Sequence, residues 1–507
     1  MRAKSSLLAQ SRPRGWSRPR GRGLHATSIV FLITFTLACT CSSLTPALPT
    51  LAPTLKAATA ISDGNRTRTP SPISTLAPTA TLLPTLKPTL PSAPTLFIPP
   101  GCEKIAPATV LPATAAVTAT SVYATNQPVN TQKQMRVFEA LVKKVEEVYV
   151  YENFNGKDWK AIVAKYRAKV SGGLTTENFY QEMRSLINDL GDDHSNYEAP
   201  QQVAQQDAQM AGSNNYTGIG VLIQPMESKS KITVLMTFPG SSAEKGGLKP
   251  HDSIVKIDGR VVIESGIAYT QRLRGPECSA VNVTVVSPNG QARDVLFIRH
   301  KITSSQPINA QLVTTKDGSR IGYIFLSTFL DETISDQVDK ALKDFGTLDG
   351  LILDNRMNEG GSSTVLERVL SYLTSGLLGH FQSRNGTRSL IIKAHPIHNS
   401  QTVPLVVLIG RESVSYGEVF PGVLQDSGRA KLVGDRTAGN VETLYAYDFE
   451  DGSRAWIAHE TFVPLNSKQN WEGVGVKPDV EVIADWDTYT FETDPAIAAA
   501  LKIFGHK

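Results

Sequence analysis

The sequence predicts an α/β protein with three successive folded segments, and three observations carry that prediction. Between Met135 and Leu190 apolar residues recur at spacings of three and four, the helical period. From Tyr216 the pattern switches to short strand-like runs. Beyond Ile302 strand-like runs alternate with helix-like ones, the order expected of a parallel sheet covered by helices. The chain has 507 residues, 51 of them basic and 47 acidic, for a net charge of +4. That balance is too even to argue for nucleic acid or for an acidic substrate.

The first 130 residues stand apart. Residues 1–23 carry seven Lys/Arg and no acid, and Leu24–Cys39 is apolar and uncharged. A basic start, a short apolar run and small residues before a cysteine make an export signal over residues 1–39. The run of 16 residues is short for a membrane span, which needs roughly 20. The ending Thr36-Leu37-Ala38-Cys39 resembles a bacterial lipoprotein box in which Cys39 is acylated, although an aliphatic residue is usual at position 36. Lipidation and an uncleaved anchor are both open, and either holds the protein to a membrane outside the cytoplasm. Residues 40–130 are rich in Thr, Pro, Ala and Leu, with 15 of the chain's 30 prolines between positions 40 and 128. Such a tract buries no core and reads as an extended, disordered stalk. Four cysteines are present, Cys39, Cys41, Cys102 and Cys278; export permits a disulfide, but the spacing demands none. No cofactor or metal site is implied.

Residues 131–212 read as a helical segment. Met135, Phe138, Leu141, Val142, Val145 and Val148 mark one amphipathic helix, and Trp159, Ile162, Val163 and Tyr166 a second. Phe179, Met183, Leu186, Ile187 and Leu190 mark a third, stopped by Gly191. His194 lies on the loop just past that stop, in "GDDHSNYEAP".

Residues 213–302 contain "GIGV", then "FPGSSAEKGGLKPHDSIVKIDGRVV", then "RLRGPECSAVNVTV". In that order they resemble a PDZ domain of the circularly permuted kind found in bacterial proteases. The resemblance implies that Gly218-Ile219-Gly220 is a carboxylate-binding loop, with peptide C-termini as partners. Read alone, "GIG" is only a strand start with a glycine bulge; the "AEKGGLKPHDSIVKIDG" block turns the reading to PDZ. Two positions depart from the pattern: His251 where glycine is usual, and Cys278-Ser279 where Gly-Thr is common.

From 303 to 507 the chain reads as strand, helix, strand, helix through "RIGYIFLSTF", "ISDQVDKALKDF", "LDGLILDNR" and "STVLERVLSYL". The strands "PLVVLIG" and "AKLVGDRT" follow, then a hairpin turning at Asp451-Gly452. Between the first of those two strands and the helix "GEVFPGVLQDSG" sit two serines, Ser413 and Ser415. Serines at a helix start are commonly caps. A hydroxyl between a buried strand and a helix is also where many hydrolases keep a nucleophile.

The blocks "LDGLILDNRMNEGG", "PLVVLIGRESVSYGEVFPGVLQDSGRAKLVGDRTAGN" and "WEGVGVKPDVEV" resemble the carboxyl-terminal processing serine peptidases and their tricorn-type relatives. The likeness spans roughly Arg136 to Val482. It implies a crotonase/ClpP-like α/β core and a serine endopeptidase acting on polypeptides. The family's nucleophile falls on Ser415, with the amides of Tyr416 and Gly361 as the oxyanion hole. Many members activate the serine with a lysine 25 residues further on, a position held here by Asn440. The tricorn-like branch instead uses a histidine and a late glutamate, which fall on His194 and Glu472, with Ser195 as a further hydrogen-bonding partner. A loop histidine is ordinarily solvated and a glutamate before Gly-Val ordinarily superficial. A scaffold that kept the fold and lost catalysis, and a crotonase-like acyl-transfer enzyme, are the alternatives; no coenzyme A site is evident for the second.

Overall fold

The structure is a computed structural model and describes residues 96–103, 129–210, 216–264, 266–303 and 306–506. The leader, Cys39 and most of the Thr/Pro-rich tract lie outside the described residues.

Helices form over Thr131–Val148, Trp159–Ser171 and Thr176–Asn188. Each begins on a side-chain cap: Asn130, Asp158 and Thr175 accept the amides of Lys133, Ala161 and Asn178. Phe138, Leu141, Val145, Tyr166, Phe179 and Met183 pack together and onto Leu444, Trp456 and Ala458 of the hairpin formed by Thr443–Asp448 and Arg454–Pro464. Gly191, at φ 72°, turns the chain, and Asn196–Glu198 then pairs antiparallel with the hairpin. This docking brings the His194 loop to the core.

The core sheet runs in the order 309–314, 320–325, 350–354, 405–409, 431–434, 480–481. Its first pair is antiparallel and the other four are parallel. Thr333–Phe345, Ser363–Leu373 and Tyr416–Asp426 are helices of the crossovers that parallel pairing requires. Every residue of Gly350–Asp354 and Leu405–Ile409 is buried: Leu351 to Leu353 and Leu405 to Ile409 are apolar runs, and Asp354 is paired with Arg356. The loops that leave the carboxyl ends of these two adjacent strands meet, the usual place for a site in such a sheet. Sequence patterning did not reveal the hairpin of Gly376–Ser383 and Gly386–Ile392. Its first strand shifts register between Leu377 and Gly379, so strict alternation is lost.

Residues 216–302 form a separate small sheet ordered 292–298, 280–286, 253–257, 231–237, 221–226, closed over Ile232, Val234, Ile254, Val283 and Phe297. Strand Val221–Met226 lies at its edge. Both departures noted in the sequence fall where the backbone has positive φ, His251 at 75° and Cys278 at 62°, which glycine adopts freely. Each is tied down by its side chain. The His251 ring stacks on Trp486 at 4.2 Å, and its Nδ1 donates to the Trp486 carbonyl at 2.7 Å. Cys278 forms a disulfide with Cys102, 176 residues away in sequence. Trp486 also donates to the Val234 carbonyl at 3.1 Å, and Lys229 pairs with Asp485 and Asp487, so the small sheet is docked on the core's C-terminal segment.

Candidate active site

The strand Leu405–Ile409 ends in a turn that Ser413 builds. Its Oγ donates to the Asn355 carbonyl at 2.8 Å and accepts the Gly410 amide at 3.2 Å. Ser415 follows in a strained conformation, φ 57° and ψ −127°, immediately before the helix Tyr416–Asp426. A non-glycine residue held there costs about 1–3 kcal/mol, and such strain clusters at functional turns. Its side chain caps nothing: Ser415 Oγ is buried and has no hydrogen-bond partner among the described residues. Of the two serines, one is structural and the other is left free.

Pro421 lies inside this helix and cannot donate to the Gly417 carbonyl. Asn355 Nδ2 takes that carbonyl at 2.6 Å, and Asn358 Nδ2 in turn donates to Asn355 Oδ1 at 2.9 Å. The proline thus frees an acceptor that pins the loop of residues 355–361 to the helix start. The approach is close enough to need glycine at 417, where a Cβ would lie 2.0 Å from the Asn358 carbonyl oxygen. Glycine is equally required at 361, with φ 143° and a Cβ that would lie 2.2 Å from the Phe329 carbonyl carbon. Phe329 donates to the Gly360 carbonyl and accepts the Ser362 amide, so the Gly361 N–H faces the other way. Neither the Gly361 nor the Tyr416 amide donates to any group among the described residues. These two free N–H groups border the Ser415 turn, where a Cβ on Gly360 would lie 3.0 Å from both Ser415 Cβ and the Tyr416 nitrogen.

Three consecutive residues tie the remaining groups together. The Asn440 carbonyl accepts the Ser415 amide at 2.8 Å, the Val441 amide donates to Glu472 Oε2 at 2.7 Å, and Glu442 Oε2 lies 3.3 Å from His194 Nδ1. Two residues of extended chain span at most about 7 Å, so serine, imidazole and both carboxyls share one small region. Glu418, from the helix that Ser415 precedes, fixes this segment by accepting Thr437 Oγ1 and the amides of Gly439 and Asn440. The His194 and Glu442 side chains are 2% and 1% exposed. His194 Nε2, like Ser415 Oγ, is buried without a partner among the described residues, and no hydrogen bond joins the two. Burial holds the imidazole pKa below its ordinary value of 6.5, opposed by the charges of Asp192, Glu472 and Glu418. Ser195 Oγ donates to Asp192 at 2.6 Å and accepts the Ala458 amide at 3.0 Å, so it anchors the loop and does not touch the imidazole.

Glu472 is held next to Glu442 by accepting the amide of Val441, the residue before it, and each carboxyl adds negative charge to the other's surroundings. Glu442 was not read from the sequence. The available signal is that it is the sole charged residue between Arg436 and Asp448, at the head of a strand. In the small sheet, the carbonyls of Ile219 and Gly220 are taken by the amides of Ala243 and Phe238, whereas the amides of 219 and 220 donate to nothing among the described residues.

A hydroxyl on a strained turn, two free amides beside it and a carboxylate-backed imidazole are the parts of a serine hydrolase. Residues 320–482 match Peptidase family S41, and residues 131–188 match the tricorn protease C1 domain. The chain is 30% identical over 370 residues to the chloroplastic C-terminal processing peptidase of Tetradesmus obliquus, covering 69% of this chain and 78% of that protein. It is 26% identical over 361 residues to the carboxyl-terminal-processing protease of Synechocystis sp., covering 69% and 82% respectively. Among solved structures, the photosystem II D1 C-terminal processing protease superposes with a TM-score of 0.50 at 26% identity, over 74% of this chain and 97% of that one. The chain belongs to the carboxyl-terminal processing serine peptidases of family S41. It is a serine-type peptidase acting on polypeptides.

Proposed function

We propose that this chain is a membrane-anchored endopeptidase of the cell envelope in which Ser415 is the nucleophile and His194 the general base. Gly361 and Tyr416 supply the oxyanion hole. The observation that carries the reading is the run Asn440-Val441-Glu442, which links the Ser415 turn, Glu472 and His194 within three residues. In the reaction, His194 Nε2 takes the hydroxyl proton as Ser415 Oγ bonds to the scissile carbonyl carbon. The resulting oxyanion accepts from the two amides, and the imidazolium returns the proton to the leaving amine. Water then repeats the cycle on the acyl-enzyme, releasing the acid and restoring the serine. Single substitutions at Ser415 and His194, developed in the Discussion, test this directly.

The unit 216–302 is, in this proposal, a PDZ domain that receives substrate tails. Strand Val221–Met226 follows the loop Gly218–Gly220 and occupies a sheet edge, where a peptide can add as a further strand with its carboxylate at the loop amides. Calorimetry on the Ser415→Ala protein, with one peptide as free acid and as amide, should give at least about tenfold weaker binding for the amide, on the order of one lost charge-assisted hydrogen bond. Equal affinities would remove the tail-capture reading.

Anchoring rests on the leader and on Cys39, and the Cys102–Cys278 disulfide suits an oxidising compartment. Expression in a bacterial host should place the protein in the membrane fraction and release it when Cys39 is replaced by alanine. An unchanged distribution would count against lipidation.

A further inference from the structure

His194 and two glutamates lie in line, and the order of contact is informative. Glu442 Oε2 is the oxygen against His194 Nδ1, while Glu442 Oε1 accepts the Tyr151 hydroxyl at 2.7 Å. Glu472 Oε2 accepts the amide of Val441, the residue before Glu442, at 2.7 Å, which sets the two carboxyls next to each other. With Glu442 fully buried and Glu472 partly so, two adjacent carboxyls repel as anions, and sharing one proton between them relieves that repulsion.

We propose that Glu442 is the carboxylate that orients His194, and that Glu472 works in its protonated form as a hydrogen-bond donor to Glu442. The inference rests on the Ser415–His194 reading and assigns the acidic member of that site. Its direction follows from the partners. Glu442 faces two donors, the Tyr151 hydroxyl and His194 Nδ1–H, and is best served by being an anion. Glu472 faces one amide donor and one anion, so it needs a proton to meet the second. Burial, with the Glu442 contact next, raises the Glu472 pKa to about 8, and burial raises Glu442 as well. Other groups facing the pair are Asp192 from the His194 loop, Tyr151 from the segment after the first helix, and Glu418 from the serine-bearing helix. All but His194 are anionic or neutral, so they favour keeping the proton. The Glu442–Glu472 pair then carries one negative charge, placed on Glu442 beside the imidazole, which stabilises the imidazolium formed as Ser415 loses its proton. Glu442 and Glu472 are positioning residues, since they act through His194.

The test is the pH dependence of kcat/KM for peptide hydrolysis in wild type, Glu442→Gln, Glu472→Gln and Glu472→Ala. Wild-type activity should change as pH rises through about 8, where Glu472 loses its proton. In Glu472→Gln the amide still donates to Glu442 but cannot titrate. That variant should lose less than about tenfold at pH 7 and lack the alkaline transition, whereas Glu472→Ala, with no donor, should fall further. Glu442→Gln should lose on the order of 10⁴-fold, the scale seen when the imidazole loses its carboxylate. A Glu472→Gln loss as deep as that of Glu442→Gln, or an alkaline transition unchanged in Glu472→Gln, would overturn the proposal. Infrared spectra of the Ser415→Ala protein read the proton without turnover. The difference spectrum at pH 7 between Ser415→Ala and Ser415→Ala/Glu472→Gln should contain the carbonyl band of a protonated carboxyl, and its absence from that difference would also overturn the proposal. Failure of the underlying reading shows separately, as undiminished hydrolysis by Ser415→Ala.

Discussion

Ser415→Ala removes peptide hydrolysis, with a loss on the order of 10⁶-fold, the scale found when the nucleophile of a serine peptidase is deleted. The expectation comes from what the hydroxyl does and does not touch. Ser415 Oγ has no partner to lose, so alanine there leaves the fold's hydrogen bonds intact. Backbone strain at φ 57° persists, because alanine avoids that region as serine does. Circular dichroism and melting behaviour should therefore stay close to wild type while turnover disappears. Ser413→Ala should behave in the opposite way. It deletes two hydrogen bonds of the turn, worth about 0.5–1.5 kcal/mol each, and so lowers stability while retaining a substantial fraction of activity. Reversed phenotypes would move the nucleophile to Ser413.

His194→Ala is expected to lower kcat/KM by about 10²–10⁴-fold, the usual contribution of a positioned base. Asn440 holds the position that the family resemblance gives to a lysine, and a carboxamide takes no proton near neutrality, so Asn440 cannot replace the imidazole as base. The two free amides at Gly361 and Tyr416 remain and leave activity above background. The pH profile gives an independent check. A histidine acting as base must be neutral, and burial lowers the His194 pKa, so on the proposed mechanism the neutral form persists below pH 6.5 and activity should fall only on the acid side of that value. His194→Ala should lack this acid limb. Full activity in the variant, or an acid limb unchanged by it, would exclude His194 as the base.

Much of the fold was legible because its signals are local. The amphipathic period of the first three helices, the apolar runs Leu351 to Leu353 and Leu405 to Ile409, and the Asp451-Gly452 turn each follow from side-chain spacing alone. The strands at 376–392 were not, because a register shift breaks their alternation. At the candidate site, Ser415, Gly361, Tyr416, His194 and Glu472 were picked out through motif order. Glu442 was invisible to that approach, since what distinguishes it is a contact with a residue 248 positions away. The roles of Asn355 and Pro421 were hidden for the same reason. A proline in a helix reads as a defect until the side chain that takes its orphaned carbonyl is seen. The Cys102–Cys278 bond likewise depends on where the chain returns, not on spacing.

The most direct measurement of whether His194 activates Ser415 is the rate and position of labelling by a fluorophosphonate probe, read by peptide mass spectrometry. The account predicts a single adduct on Ser415 in wild type, forming at least about 10²-fold more slowly in His194→Ala. An adduct on Ser413 or elsewhere, or equal rates in the two proteins, would contradict it.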